Sequence, residues 1–233
     1  FARDVMRPLG TQLDKMTAEE VIAPGSPYWG VFGEFAKLGL DPAAMAELPP
    51  EMAIRIESLI GEELGWGDPG LGVSLAVAGF PMQMAAAMGR ADLVELCQER
   101  IGCWMITHPN KGGDVTLVDI RPEWPAGQPG NKGNMWGRVQ GDEIVVNGQC
   151  SAWVSNGVVA QVALGYLSAE YEDGFFAPDG NPYGMAVILP LDLPGVSKGK
   201  PLDKIGQRWL PQGEIYFDNV RGPKRFASAR KDE

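Results

Sequence analysis

Apolar positions recur with a helical period through the first hundred residues and with a strand period after Gly102. Phe1, Val5, Met6, Leu9 and Leu13 form one stripe, which predicts a helix over 1–16 with a kink at Pro8. Ser26-Pro27 reads as a cap followed by proline at the first helical position, and Gly39 stops that helix. Pro50 opens a longer one, with Met52, Ile56, Leu59, Ile60 and Leu64 on one face and Glu51, Glu57, Glu62 and Glu63 elsewhere. Asp68-Pro69 repeats the cap signature ahead of the small-residue run 70–79. Glycine costs roughly 1 kcal/mol against alanine inside a helix, so this run predicts a close approach, by another helix or by a ligand. A last short helix over 91–100 follows the break at Gly89.

Beyond Gly102 the pattern predicts strands at 135–140, 143–146, 149–155, 158–168, 183–191 and 214–217. Gly141-Asp142 and Asn147-Gly148 separate the first three, and Asn-Gly between β-formers is a strong hairpin signal. Two polar, Gly/Pro-rich loops cover 122–133 and 172–182. Helices first and strands after predict an α+β chain: an all-α N-terminal helical domain (1–101), then a β-barrel or sandwich domain (102–226), with 227–233 starting a linker.

Composition narrows the function. Glycine (31) and proline (19) are in excess, which fits many tight turns, since apolar runs lie between them. A net charge of −10 argues against nucleic acid, whose binding relies on Lys and Arg neutralising phosphates. Cys97, Cys103 and Cys150 are too scattered for a metal site, and with a single His no zinc site is expected; they read as reduced thiols of a cytoplasmic protein, with the mitochondrial matrix left open. No uninterrupted apolar run is expected to span a membrane. The ends at Phe1 and Glu233 read as cuts in a longer chain.

Two strand-like runs end in a hydroxyl residue and a turn: Trp104-Met105-Ile106-Thr107-His108-Pro109-Asn110-Lys111-Gly112-Gly113-Asp114, and Trp153-Val154-Ser155-Asn156-Gly157. Taken alone, the spacing of Thr107 and Ser155 favours turn-capping hydroxyls over ligand contacts. With Pro194-Gly195-Val196, and with Lys204-Ile205-Gly206-Gln207-Arg208 running on to Phe217-Asp218-Asn219-Val220-Arg221-Gly222-Pro223, they make four motifs in order. In that order and spacing the chain resembles the acyl-CoA dehydrogenases, flavoproteins that desaturate acyl-CoA thioesters.

The resemblance implies FAD as cofactor, held by Trp104, Met105, Ile106, Thr107, Gly112, Gly113, Trp153, Val154 and Ser155. The Ile106-Thr107 backbone and the Thr107 hydroxyl would meet the flavin's pyrimidine end, Trp153 would lie beside the ring, and Ser155 would reach the N5 side. Donors placed there would stabilise the charge gained on hydride transfer. Lys111 and Gly113 would face the acyl-CoA, although Lys111 also reads as a solvated loop lysine. The resemblance further implies an electron-transfer flavoprotein as acceptor and a homo- or hetero-oligomer.

The chain departs from the family pattern in places. His108 stands where the family has Glu, and reads as a surface or turn residue rather than a base. Gly113 replaces a serine. Cys150-Ser151-Ala152 adds one residue, which predicts a bulge or altered register. The family's base is a Glu on a C-terminal helical domain with no counterpart in this sequence, so no catalytic residue is assigned here. Two other readings remain open: a same-fold monooxygenase or desulfinase, or a non-catalytic acyl-CoA-binding or assembly subunit.

Overall fold

The computed structural model describes residues 1–40, 48–112, 132–178, 180 and 183–229. A π-helical turn, Ala2–Met6, runs into α1 (Arg7–Leu13). Pro8 offers no N–H and crowds the carbonyl four residues back, so the turn before it widens instead of continuing as α-helix. Next comes α2 (Ala18–Ile22), set by a capping box: Glu20 N–H donates to Thr17 Oγ1 (3.2 Å) and Thr17 N–H to Glu20 Oε2 (2.8 Å). Ser26 caps a 3₁₀ turn, Pro27–Trp29, that leads into α3 (Gly30–Ala36). The helix α4 (Pro50–Gly67) buries only Leu64 and Gly67. Its predicted apolar face is therefore mostly uncovered: Met52 is 49% and Leu59 60% exposed among the described residues.

Asp68 caps α5 (Pro69–Ala78), its Oδ1 accepting from Leu71 N–H (2.8 Å) and from the Trp209 indole (2.7 Å). Gly79 separates α5 from α6 (Phe80–Ala87), and α7 (Ala91–Cys97) follows. The stretch Pro69–Ala87 is long and apolar enough, by length and composition alone, to cross a membrane. In this fold it is two helices packed into two different cores. Gly70 sits against Trp209 and Gly72 against Leu64, so the small residues on this face of α5 admit neighbouring side chains.

The described residues form eight strands in one mixed sheet: β1 (Gly102–Met105), β2 (Trp136–Gln140), β3 (Glu143–Gln149), β4 (Val162–Glu170), β5 (Gly184–Pro190), β6 (Val196–Lys198), β7 (Ile215–Pro223) and β8 (Ala227–Ala229). The order is β6-β7-β3-β2-β4-β5-β8, with β1 also on β4. The helices-then-strands α+β arrangement is thus as expected. One hydrophobic core joins Met6, Leu13, Tyr28, Leu71 and Leu75 of the helices to Val159. The other is built by the strands and takes in Ala85 of α6 with Leu93 and Cys97 of α7.

Gly141-Asp142 is the tight turn expected, joining Gln140 to its partner Glu143. Asn147-Gly148 is not a turn. Strand β3 runs through both residues, and its pairing with β7 shifts between Val146 and Gly148. The dipeptide's chemistry goes into that shift. Asn147 Oδ1 accepts from Asn219 N–H (2.9 Å), while Gly148, at φ 104°, leaves room for the Asn134 carbonyl. The predicted strand over 149–155 accordingly ends at Gln149.

Candidate functional site

The first strand end is created by a gap in the sheet. On the side of β4 away from β5, β1 pairs with Val162 to Gly165 and β2 with Ser168 to Glu170. His108 fills the space between them. Its Nε2 lies 3.0 Å from the Tyr166 carbonyl, and its Nδ1 accepts from Met135 N–H at 3.4 Å. A ring that accepts at Nδ1 donates from Nε2, so the neutral imidazole replaces a missing strand residue. At 4% exposure His108 is a turn residue but not a surface one. Its backbone closes a two-residue turn with Lys111 over Pro109-Asn110, with His108 N–H donating to Lys111 O at 2.9 Å. Asn110 then holds 132–134, donating to Lys132 O (3.0 Å) and accepting from Asn134 N–H (2.7 Å).

Thr107 comes just before this turn and is tied to the second strand end. Its hydroxyl bonds the Ser151 hydroxyl, and its carbonyl accepts from Ser151 N–H at 2.9 Å. The extra residue at 150–152 explains why Ser151 is available. Cys150 N–H donates to Ile215 O (3.1 Å), but the return bond from Ile215 N–H goes to the Cys150 thiol (3.0 Å) instead of a carbonyl. The chain leaves the ladder there, and Ser151 turns toward Thr107. Burial pushes the Cys150 thiol up to about 12, which keeps it neutral in this role.

From Ser151 the contacts continue. Trp153 N–H donates to Ser151 Oγ (3.4 Å), and Gln212 Nε2 donates to both Trp153 O (3.1 Å) and Ser155 Oγ (3.2 Å). Thr107, Ser151, Trp153, Ser155 and Gln212 therefore form one hydrogen-bonded patch, with the Trp153 indole 66% exposed beside it. An exposed flat ring flanked by partly exposed hydroxyls fits a planar ligand with a polar edge, as a flavin is.

Asn156 underlies the patch. It is fully buried with φ 62°; Oδ1 accepts from Ser74 Oγ (2.7 Å), and Nδ2 donates to Ser74 O (2.8 Å) and Gly102 O (3.2 Å). It joins α5, the start of β1 and the Ser155 turn.

The other expected residues are placed differently. Trp104 lies edge-on to Phe80 (5.1 Å), facing the helices, with its indole nitrogen buried and without a hydrogen-bond partner among the described residues. Met105 and Val154 are buried in the strand core, so only their backbone is open to a ligand. Ile106 and Lys111 are half-buried, Gly112 is exposed, and Gly113 lies outside the described residues.

The chain as a whole is similar to known proteins. The chain is 30% identical over 126 residues to glutaryl-CoA dehydrogenase of Desulfococcus multivorans, covering 54% of this chain and 27% of that protein. It is 27% identical over 232 residues to a probable mitochondrial medium-chain acyl-CoA dehydrogenase of Caenorhabditis briggsae, covering 96% of this chain and 50% of that one. A solved glutaryl-coenzyme A dehydrogenase complex superposes with a TM-score of 0.67 at 20% identity, covering 99% of this chain and 54% of its own. The chain has the acyl-CoA dehydrogenase fold. No protein-family model matches it. It spans half or less of the length of these two curated relatives, and the resemblance first carried by four motifs extends over its N-terminal and middle parts.

Ser151, Asn156 and Gln212 were not singled out as site residues from the sequence. Ser151 belongs to the lengthened segment 150–152, and Gln212 lies in the stretch joining the two quoted halves of the fourth motif; nothing local marks either as a partner of residues 44 and 57 positions away.

Proposed function

We propose that this chain forms the flavin-holding part of an FAD-dependent acyl-CoA dehydrogenase, acting on an acyl-CoA in the cytoplasm or mitochondrial matrix. The observation that carries this reading is the patch linking Thr107 to Ser155 through Ser151, Trp153 and Gln212. The two relatives named above, a glutaryl-CoA dehydrogenase and a probable medium-chain acyl-CoA dehydrogenase, support the reaction class.

Bound FAD supplies the two-electron acceptor. The protein's part is to hold and orient it. The Thr107–Ser151 hydroxyl pair would offer a donor to the pyrimidine edge, Ser155 would offer one on the N5 side, and the Trp153 indole would lie beside the ring. Donors fixed before reaction need no reorganisation as charge develops, which is where their catalytic value lies. We keep Lys111 and Gly113 as the residues facing the acyl-CoA, with Gly112 and Gly113 on the cofactor. Electron transfer to a separate flavoprotein and assembly into oligomers belong to the same proposal. The proton-removing carboxylate is assigned to no residue of this chain. His108, whose substitution for Glu left room for other chemistry, is accounted for by its place in the sheet, so it gives no support to a monooxygenase or desulfinase.

The test is direct. The purified full-length enzyme of which this chain is proposed to be the flavin-holding part should carry FAD, and the flavin's visible absorbance should bleach on adding acyl-CoA under anaerobic conditions. A protein that takes up no flavin would sink this reading; a flavin left unbleached by a panel of straight, branched and dicarboxylic acyl-CoAs would reject the dehydrogenase assignment.

A further inference from the structure

The Lys204-Ile205-Gly206-Gln207-Arg208 segment is unused by the account so far, yet its first residue lies directly behind the patch. Lys204 Nζ donates to Leu210 O (2.7 Å) and to Gln212 Oε1 (2.9 Å). Gln212 turns its other end to the site, Nε2 donating to Trp153 O and Ser155 Oγ.

The donor and acceptor inventory makes this arrangement directional. An ammonium only donates, so the group facing Lys204 must be the amide oxygen. That fixes the amide nitrogen toward Ser155, where it can only donate. Ser155 Oγ is therefore an acceptor on its inner side, and its single proton is left for another acceptor. Among the described residues none takes it.

We propose that Lys204 and Gln212 are positioning residues that set the hydrogen-bond polarity of Ser155, holding its O–H outward as a donor to the flavin. This rests on the flavin reading and extends it, naming what orients the hydroxyl and why the orientation is fixed. Reversal of the amide would present an oxygen to Ser155, turn the O–H inward and withdraw the donor from the ligand. The same amide nitrogen pins the Trp153 carbonyl, so one side chain sets both the hydroxyl and the backbone carrying the exposed indole. The lysine is half-buried, and burial lowers its affinity for a proton, to about 8. The Leu210 and Gln212 oxygens compensate part of that cost.

The test uses Gln212→Glu, Lys204→Met, Lys204→Arg and Ser155→Ala, with FAD dissociation constants and the visible spectrum of bound flavin as readouts. Gln212→Glu is nearly isosteric and keeps an oxygen toward Lys204, but replaces the donor aimed at Ser155 by an acceptor. Gln212→Glu and Lys204→Met should each weaken FAD binding by about tenfold, the worth of one good hydrogen bond, and alter the flavin spectrum as Ser155→Ala does. Lys204→Arg, also donor-only, should restore both. Gln212→Glu should have no further effect once Ser155 is alanine. If Ser155→Ala weakens binding while Gln212→Glu and Lys204→Met bind as wild type, the polarity proposal is overturned and the flavin reading stands. If wild type binds no FAD, both fall.

Discussion

Asn156 concentrates more of the structure on one side chain than any hydroxyl of the site. Its amide satisfies Ser74 twice and Gly102 once, with Tyr28 OH sharing Ser74 Oγ at 2.7 Å. It does so from φ 62°, a conformation asparagine tolerates better than alanine. Asn156→Ala should therefore cost about 2–4 kcal/mol, the sum of unsatisfied buried groups and backbone strain, read from urea denaturation; an unchanged midpoint would contradict this role. Thr107, Trp153 and Ser155 were legible because each ends an apolar run in a recognisable motif. Ser151, Asn156 and Gln212 were not, because what matters about them is the partner each meets across the fold. His108 shows the same limit: as the lone histidine it drew notice, but its task of bridging Tyr166 and Met135 depends on two strands stopping short of each other.

Among elements, local signals held where the local contact is the whole explanation. The Asp68 and Ser26 caps and the Gly141-Asp142 turn are cases of this kind. The Thr17–Glu20 capping box was not read from the sequence, because α2 is too short for a periodic apolar pattern to announce it. The Asn147-Gly148 pair failed as a hairpin signal because a long-range demand used the same residues. Alanine substitution separates the two situations. At Gly141 a Cβ meets nothing within 4 Å, so Gly141→Ala should cost only about 1 kcal/mol for its positive φ. At Gly148 the Cβ collides with the Asn134 carbonyl as well, so Gly148→Ala should cost clearly more, by thermal denaturation. Equal losses would place Gly148 in an open turn after all. The uncovered face of α4 is a separate matter: its periodicity correctly marks a helix, but the described residues supply packing for only the last turns.

For the whole molecule, helices and strands do not keep separate cores, since α6 and α7 pack with the sheet. We propose the boundary between 101 and 102 as a division of chain order. The three cysteines are free and buried, and burial raises all of their pKa values, Cys97 to about 11 and Cys150 to about 12. A raised acid pKa means that the folded state keeps protons the unfolded chain releases. This contribution is whole below about 9 and is lost as pH climbs toward 11–12. Lys204 acts in the opposite sense: its folded pKa of about 8 lies below its unfolded value of 10.5, so stability gains as pH rises between them. Burial lowers Lys198 in the same sense, but the three thiols, with Tyr28 and Tyr166 also raised by burial, outweigh the two part-buried lysines, and the urea midpoint should fall between pH 9 and about 11. A midpoint that rises over that range would contradict the burial of the thiols.

The central claim is that the two strand ends form one flavin-binding surface. Titration of the protein with FAD, followed by tryptophan fluorescence in wild type, Trp153→Phe and Ser155→Ala, tests it most directly. The expected result is saturable quenching in wild type, loss of most of that quenching in Trp153→Phe with binding retained, and weaker binding in Ser155→Ala. Saturable FAD binding with quenching and affinity unchanged in both variants would contradict it.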